Sequence, residues 1–210
     1  MKIVATVVNS RQAASAGKLG PDLIEVRIDL GGADPAGELS SIRSRWKGPV
    51  ILTNRSAAEG GGWRGDPGEW WDCIAPLISF VDIVDVEQQF SSFAREIRSR
   101  GKTVIASHHT EIMPSPGELA RMVRDLRRYG DIPKIVVRPG SEQDLLGLLA
   151  FTLSAEKPIC TGVQGEDYRY ARVILPLFGS ELVYTHAGTP GAQGQFSLED
   201  FRKIQALLRI

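Results

Sequence analysis

The chain has 210 residues, 42% of them apolar, which is enough for one sizeable core and short for two. Its 25 basic and 25 acidic residues cancel and are dispersed, so it lacks the electrostatic footprint of a nucleic-acid or anionic-membrane binder, and a small-molecule partner is favoured. Cys73 and Cys160 are far apart with no Cys/His cluster, which suits neither a disulfide framework nor a metal site, and no apolar stretch approaches the roughly 20 residues of a membrane span. The chain reads as a cytoplasmic protein.

In chain order, eight runs rich in Val, Ile or Thr predict strands over 2–8, 22–29, 49–55, 81–87, 102–109, 133–138, 158–163 and 181–187. Helix-start signals fall between them: Asp66-Pro67, Ser115-Pro116, Ser141 before Glu142, and Ser197 three residues before Asp200. Strict alternation of strand and helix predicts parallel strands with crossover helices. Eight such units give an α/β fold, a compact single-domain (β/α)8 TIM barrel spanning 1–210, below the roughly 250 residues typical of the fold. The competing reading is an open doubly wound sheet, but no Gly-x-Gly-x-x-Gly follows the first strand.

Polar residues inside strands carry the functional signal. Glu25, Arg27 and Asp29 share one parity, and Ile24, Val26 and Ile28 the other. In a barrel the apolar set belongs under the helices and the charged set in the lumen, where charges are paired or serve a ligand. Thr53 with Arg55, Asp85 with Glu87, and Ser107 with His109 repeat the pattern toward the strand C-termini, where barrel enzymes place their chemistry. An internal salt-bridge network is the plainer alternative; several such residues on one rim favour a site.

These residues bring in a resemblance. Glu25-Val26-Arg27-Ile28-Asp29, and Leu52-Thr53-Asn54-Arg55 followed by Glu59-Gly60-Gly61, resemble type I 3-dehydroquinate dehydratases. So do Ser107-His108-His109, Asp131-Ile132-Pro133-Lys134-Ile135, Gly165-Glu166 leading to Arg172, Phe178-Gly179-Ser180, and Gly194-Gln195. The resemblance implies dehydration of 3-dehydroquinate in the shikimate pathway by a homodimer, without metal or organic cofactor. It implies that Lys134 forms a Schiff base, an electron sink for the carbanion beside the ketone. Free lysine holds its proton to a pKa of about 10.4, and attack requires the neutral amine. His109 would act in succession as base and acid, with Glu59 fixing its tautomer. Arg172 and Gln195 would hold the substrate carboxylate, and Glu25, Arg27 and Arg55 its hydroxyls; arginine suits such anchoring because its planar fork grips oxygens in pairs.

The plainer alternatives are an exposed loop carboxylate for Glu59, a surface charge for Arg172 and a solvated lysine for Lys134. Strand alternation predicts that His108 faces away from His109. Gln164 stands where the family often has methionine, so the wall against the substrate ring differs. Gly191-Ala192-Gln193-Gly194-Gln195 replaces Ser-Ala-Pro-Gly-Gln, losing a hydroxyl at Gly191, although its glycines suit a lid. The aromatic that usually follows the histidine is missing around Thr110. Lys134 falls near the start of its predicted strand, whereas barrel sites lie at strand ends. A Schiff-base aldolase and a non-catalytic ligand-binding barrel remain as other classes, and the apolar stretch Phe201 to Ile210 is a candidate dimer surface.

Overall fold

The computed structural model describes residues 1–208. The described residues form eight strands, β1 (Lys2–Val7), β2 (Leu23–Arg27), β3 (Val50–Thr53), β4 (Ile83–Glu87), β5 (Thr103–His109), β6 (Ile132–Val137), β7 (Cys160–Val163) and β8 (Leu182–His186). Around them lie α1 (Ser10–Gly17), α2 (Pro35–Arg45), α3 (Pro67–Ile74), α4 (Ala94–Ser99), α5 (Pro116–Arg127), α6 (Glu142–Ser154), α7 (Ala171–Ile174) and α8 (Leu198–Leu208). All pairings are parallel and run β7-β6-β5-β4-β3-β2-β1-β8. The (β/α)8 barrel is therefore the observed fold, and the open doubly wound sheet is not. No helix among the described residues is long and apolar enough to cross a membrane. The last two residues of the stretch Phe201 to Ile210 lie outside the described residues.

The barrel is nearly closed. No β7–β8 ladder is present among the described residues; the seam is bridged instead by Glu181 N–H donating to Ile159 O (2.7 Å) and by the Ser180 hydroxyl, which accepts from Thr161 N–H (3.0 Å). The β3–β4 ladder is the shortest, with two register pairs, Ile51 with Ile83 and Leu52 with Val84.

The helices begin where the capping chemistry places them. Asp66 and Ser115 form capping boxes with Glu69 and Glu118, each with proline in the first turn. Ser141 and Ser197 accept from the backbone N–H groups of Asp144 (3.2 Å) and Asp200 (3.0 Å). Strand alternation then sorts the core. Ile24, Val26, Leu52, Val84 and Val86 pack under the helices, whereas Val4, Leu23, Ile51, Ile105, Cys160 and Leu182 form a separate apolar plug inside the barrel. On five strands the inward position two residues further along is polar: Thr6, Glu25, Thr53, Asp85 and Ser107. An apolar floor thus carries a polar layer beneath the C-terminal rim.

Strand 22–29 ends early, at Arg27, because Asp29 turns back in a 3-10 turn over Ile28–Leu30 to pair with the Arg27 guanidinium and to accept from Gly62 N–H (3.0 Å). The segment after β3 is held from outside by Trp70, which is fully buried, stacks on Phe90 at 4.4 Å and donates from its indole to Asn54 O (3.0 Å). Replacing Trp70 with alanine should lower unfolding free energy by about 3–5 kcal/mol, measured by urea denaturation; a loss below about 1 kcal/mol would show that this packing does not anchor the rim.

Candidate active site

The eight residues to which the resemblance gives a role all line one cavity of about 280 Å³ at the C-terminal rim: Glu25, Arg27, Arg55, Glu59, His109, Lys134, Arg172 and Gln195. Lys134 is the third residue of β6, because that strand begins at Ile132. It pairs with Ser107 of the polar layer on one side and with Cys160 of the apolar floor on the other, and its length carries the amine upward. Nζ lies 2.9 Å from Asp85 Oδ2 and 4.1 Å from the centroid of the Tyr184 ring.

Arg55 organises the layer. Its Nη2 donates to Asp85 Oδ1 (2.7 Å), and its Nη1 lies within bonding distance of Ser107 Oγ (2.9 Å), Glu87 Oε1 (3.1 Å) and Glu59 Oε2 (3.3 Å). These donors are committed to protein groups. Glu87 also accepts from the backbone N–H and hydroxyl of Ser56, at 2.8 and 2.5 Å. Burial raises the Asp85 carboxyl, but the Arg55 and Lys134 cations beside it and the Ser107 hydrogen bond outweigh that and hold it at about 2. Glu25 accepts from the hydroxyls of Thr6 (2.7 Å) and Thr53 (2.8 Å).

His109 Nδ1 lies 2.8 Å from Glu59 Oε2, which also accepts from the His109 backbone N–H at 3.1 Å. A carboxylate there accepts, so Nδ1 carries the proton and Nε2 keeps its lone pair. Burial, then the Arg55 and Lys134 charges, push the imidazole well below its ordinary value, and Glu59 offsets this only in part. At neutral pH His109 is an uncharged ring with a free base nitrogen. Glu59 itself sits in a tight loop. Gly60 takes a left-handed conformation (φ 82°), and a Cβ at Gly61 would lie 2.1 Å from Arg55 O.

On the opposite rim, Arg172 donates from Nη2 to Gln193 O (3.1 Å); burial and the neighbouring Arg169 bring it down to about 10, so it stays cationic. Gln195 is spent on the last loop, accepting from Gly191 N–H (2.8 Å) and donating to Thr6 Oγ1 (3.2 Å). Arg27 grips Asp29 through two bonds, at 2.8 and 2.7 Å, and donates to Gly191 O (3.1 Å). Both polar backbone groups of Gly191 are thus engaged, and a Cβ there would come within 2.9 Å of Thr6 Cγ2. Gln164 donates to Thr110 O and Glu111 Oε1, each at 2.8 Å, giving a polar wall.

Asp85, Glu87 and Ser107 stood out by parity, but their joint hold on Arg55 is visible only in three dimensions. Tyr184 carries a single sequence signal, the inward parity that it shares with Leu182 on β8. His108 departs from the alternation in one respect. It lines a groove against α5 outside the barrel, yet its Nδ1 comes within 3.3 Å of Glu59 Oε1.

A parallel (β/α)8 barrel with a buried lysine, an uncharged histidine and a cationic rim around one cavity at its C-terminal end defines a barrel enzyme of the small-molecule kind. The model of the type I 3-dehydroquinase family matches residues 4–210. A 3-dehydroquinate dehydratase from Methanoregula boonei is 50% identical over 208 residues, covering 99% of this chain and all of that protein. One from Methanospirillum hungatei is 36% identical over 99% of this chain and 81% of its own length. The crystal structure of 3-dehydroquinate dehydratase from Geobacillus kaustophilus superposes with a TM-score of 0.89 at 26% identity, covering 99% of this chain and 91% of that one. The chain belongs to the type I 3-dehydroquinase family.

Two outcomes follow from this geometry. Gly61→Ala should displace the Glu59 loop and cut turnover by tenfold to about a hundredfold, while the far-UV spectrum stays native; unchanged turnover would mean the loop tolerates the methyl. For acid stability, the folded Asp85 value of about 2 lies below the ordinary 3.8. The unfolded chain therefore takes up this proton first, and the contribution is present above about pH 4 and lost as pH falls to about 2. Urea midpoints should fall across that window, and less steeply in Asp85→Asn, which starts lower; parallel curves for the two proteins would contradict the assignment.

Proposed function

We propose that the chain dehydrates 3-dehydroquinate to 3-dehydroshikimate through a Schiff base on Lys134, with His109 as general base and then general acid. The observation that carries this reading is the pairing, on one cavity, of a lysine amine among buried polar groups with an imidazole kept uncharged.

The Lys134 amine adds to the ketone carbon, and loss of water leaves an iminium that acidifies the C–H bond of the neighbouring carbon. His109 Nε2 removes a proton from that carbon, and the electron pair moves into the iminium to give an enamine. The developing imidazolium is stabilised through Nδ1 by Glu59, as a base oriented by a third group requires. The enamine electrons then return to expel the β-hydroxyl, which takes the His109 proton and leaves as water. Hydrolysis of the conjugated iminium consumes one water, frees the ketone and restores Lys134. Asp85 and the Tyr184 ring face stabilise the cationic nitrogen. Arg172, with Gln195, serves the substrate carboxylate; Glu25 faces the ring hydroxyls, where Arg27 and Arg55, whose donors are engaged by protein groups, act by positioning.

The lysine supplies the electron sink, so the reading calls for no metal or organic cofactor. Among the described residues, no group of three or more His, Cys, Asp or Glu side chains is arranged to hold a metal ion. A homodimer and a cytoplasmic setting, implied by the resemblance, belong to the same proposal. The exposed Leu207 and Leu208 on α8 offer one apolar surface for it, and gel-filtration mass measures the oligomer.

With 3-dehydroquinate, the purified protein should generate the ultraviolet absorbance of the conjugated product, unaffected by exhaustive chelation. Borohydride added during turnover should leave an adduct on Lys134 alone of the seven lysines. Lys134→Arg should abolish labelling and turnover, and His109→Ala should lower turnover by about a hundredfold or more with labelling retained. Full activity in Lys134→Ala, or an adduct on another lysine, would remove the Schiff base from Lys134. Retro-aldol cleavage without dehydration would make the protein an aldolase, and tight binding without turnover a ligand-binding barrel.

A further inference from the structure

Glu59 is shared by two imidazoles. Oε2 accepts from the His109 ring (2.8 Å) and backbone (3.1 Å) and faces Arg55 (3.3 Å), whereas Oε1 has the His108 ring as its neighbour, at 3.3 Å. The histidines sit on opposite sides of that carboxylate. The His109 side chain is 13% exposed and lines the cavity; that of His108 is 34% exposed and lines the outer groove beside Glu118, Arg121 and Asp125 of α5. One ring of the pair therefore exchanges protons with solvent without passing through the substrate cavity.

We infer that His108 is a positioning residue that holds the second oxygen of Glu59 and, from the outer face of the barrel, couples solvent pH to the acid–base strength of His109. This rests on the reading of His109 as the proton carrier. The groups facing His108 are Glu59 and Glu87 on the barrel side, with Arg55 behind them, and Glu118, Arg121 and Asp125 across the groove. The bond to Glu59 raises the His108 value above its ordinary 6.5; burial and Arg55 pull the other way without cancelling it.

The sign follows from sharing one negative charge. While His108 is protonated, it and Arg55 both draw on the Glu59 carboxylate, leaving less for the imidazolium that His109 becomes in the reaction. When His108 loses its proton, that stabilisation returns to His109, so turnover rises with pH through the His108 titration. His109 is held well below 6.5, so the acid limb of the wild-type profile belongs to the outer ring and not to the base itself.

The test is the pH dependence of kcat and KM for the wild type, His108→Gln, His108→Asn and His109→Ala, with imidazole NMR titration of the resting protein. The wild-type acid limb should lie above pH 6.5. In His108→Gln that limb should disappear, leaving only the one set by His109, well below pH 6.5. The alkaline kcat of this variant should fall about threefold, the scale of one modest hydrogen bond, with KM unchanged. His108→Asn, too short to reach Glu59 in the same way, should lose the same limb and more kcat. By NMR the His108 ring should titrate above the ordinary value. Superimposable pH profiles in either folded variant, or a His108 ring titrating at or below 6.5, would overturn the inference. Full activity in His109→Ala would instead overturn the acid–base reading beneath it.

Discussion

The site is built around one buried cation. Arg55 contacts Asp85, Glu87 and Glu59 within 3.3 Å, so one guanidinium joins the carboxylate that holds Lys134 to the carboxylate that holds His109. Burying these charges costs several kcal/mol per ion before pairing is counted, and losing one partner strands the others. Arg55 serves this arrangement because its rigid planar fork spreads five donors toward oxygens on separate strands, where a lysine ammonium is a compact point charge. The same charge helps to keep His109 neutral and Asp85 ionised. One residue therefore fixes the carboxylate partners of both Lys134 and His109, and it has little left to offer a substrate.

Much of this was legible in the sequence, for a physical reason. Parallel strands sandwiched between helices and lumen leave few reasons for Glu25, Arg27, Arg55 or Asp85 to be polar, so inward parity alone isolates them. The helix starts were equally visible, because Asp66, Ser115, Ser141 and Ser197 act through local bonds three residues away. What could not be read is what depends on where a chain goes after leaving its strand. Glu59 reaches β5 from a loop fifty residues upstream, and only its placement shows that Oε1 stops beside His108. Alternation assigns His108 correctly to the outer face but says nothing about a carboxylate arriving from the side.

The departures from the family pattern take on physical form as well. With glycine at 191, the last loop packs against Thr6 where a side chain would collide, and its backbone is held by Gln195 and Arg27. The hydrogen bonds that hold this loop lie within the chain, between the Gly191 backbone and the side chains of Gln195 and Arg27. Gln164 joins Thr110 and Glu111 in a polar rim, so substrate would be bounded there by amide and carboxylate instead of thioether.

The unladdered seam between β7 and β8 makes the barrel, mechanically, a split ring. A ring cut at one point opens by flexing at the point diametrically opposite, which in this strand order is the junction of β3 and β4. That junction has the thinnest backbone pairing of the barrel, two residue pairs, and it is crossed by Arg55 to Asp85 and Glu87 and by Ser56 to Glu87. The ion cluster around Arg55 is thereby also a clasp across that junction, where side-chain bonds supply the linkage that the short backbone ladder does not.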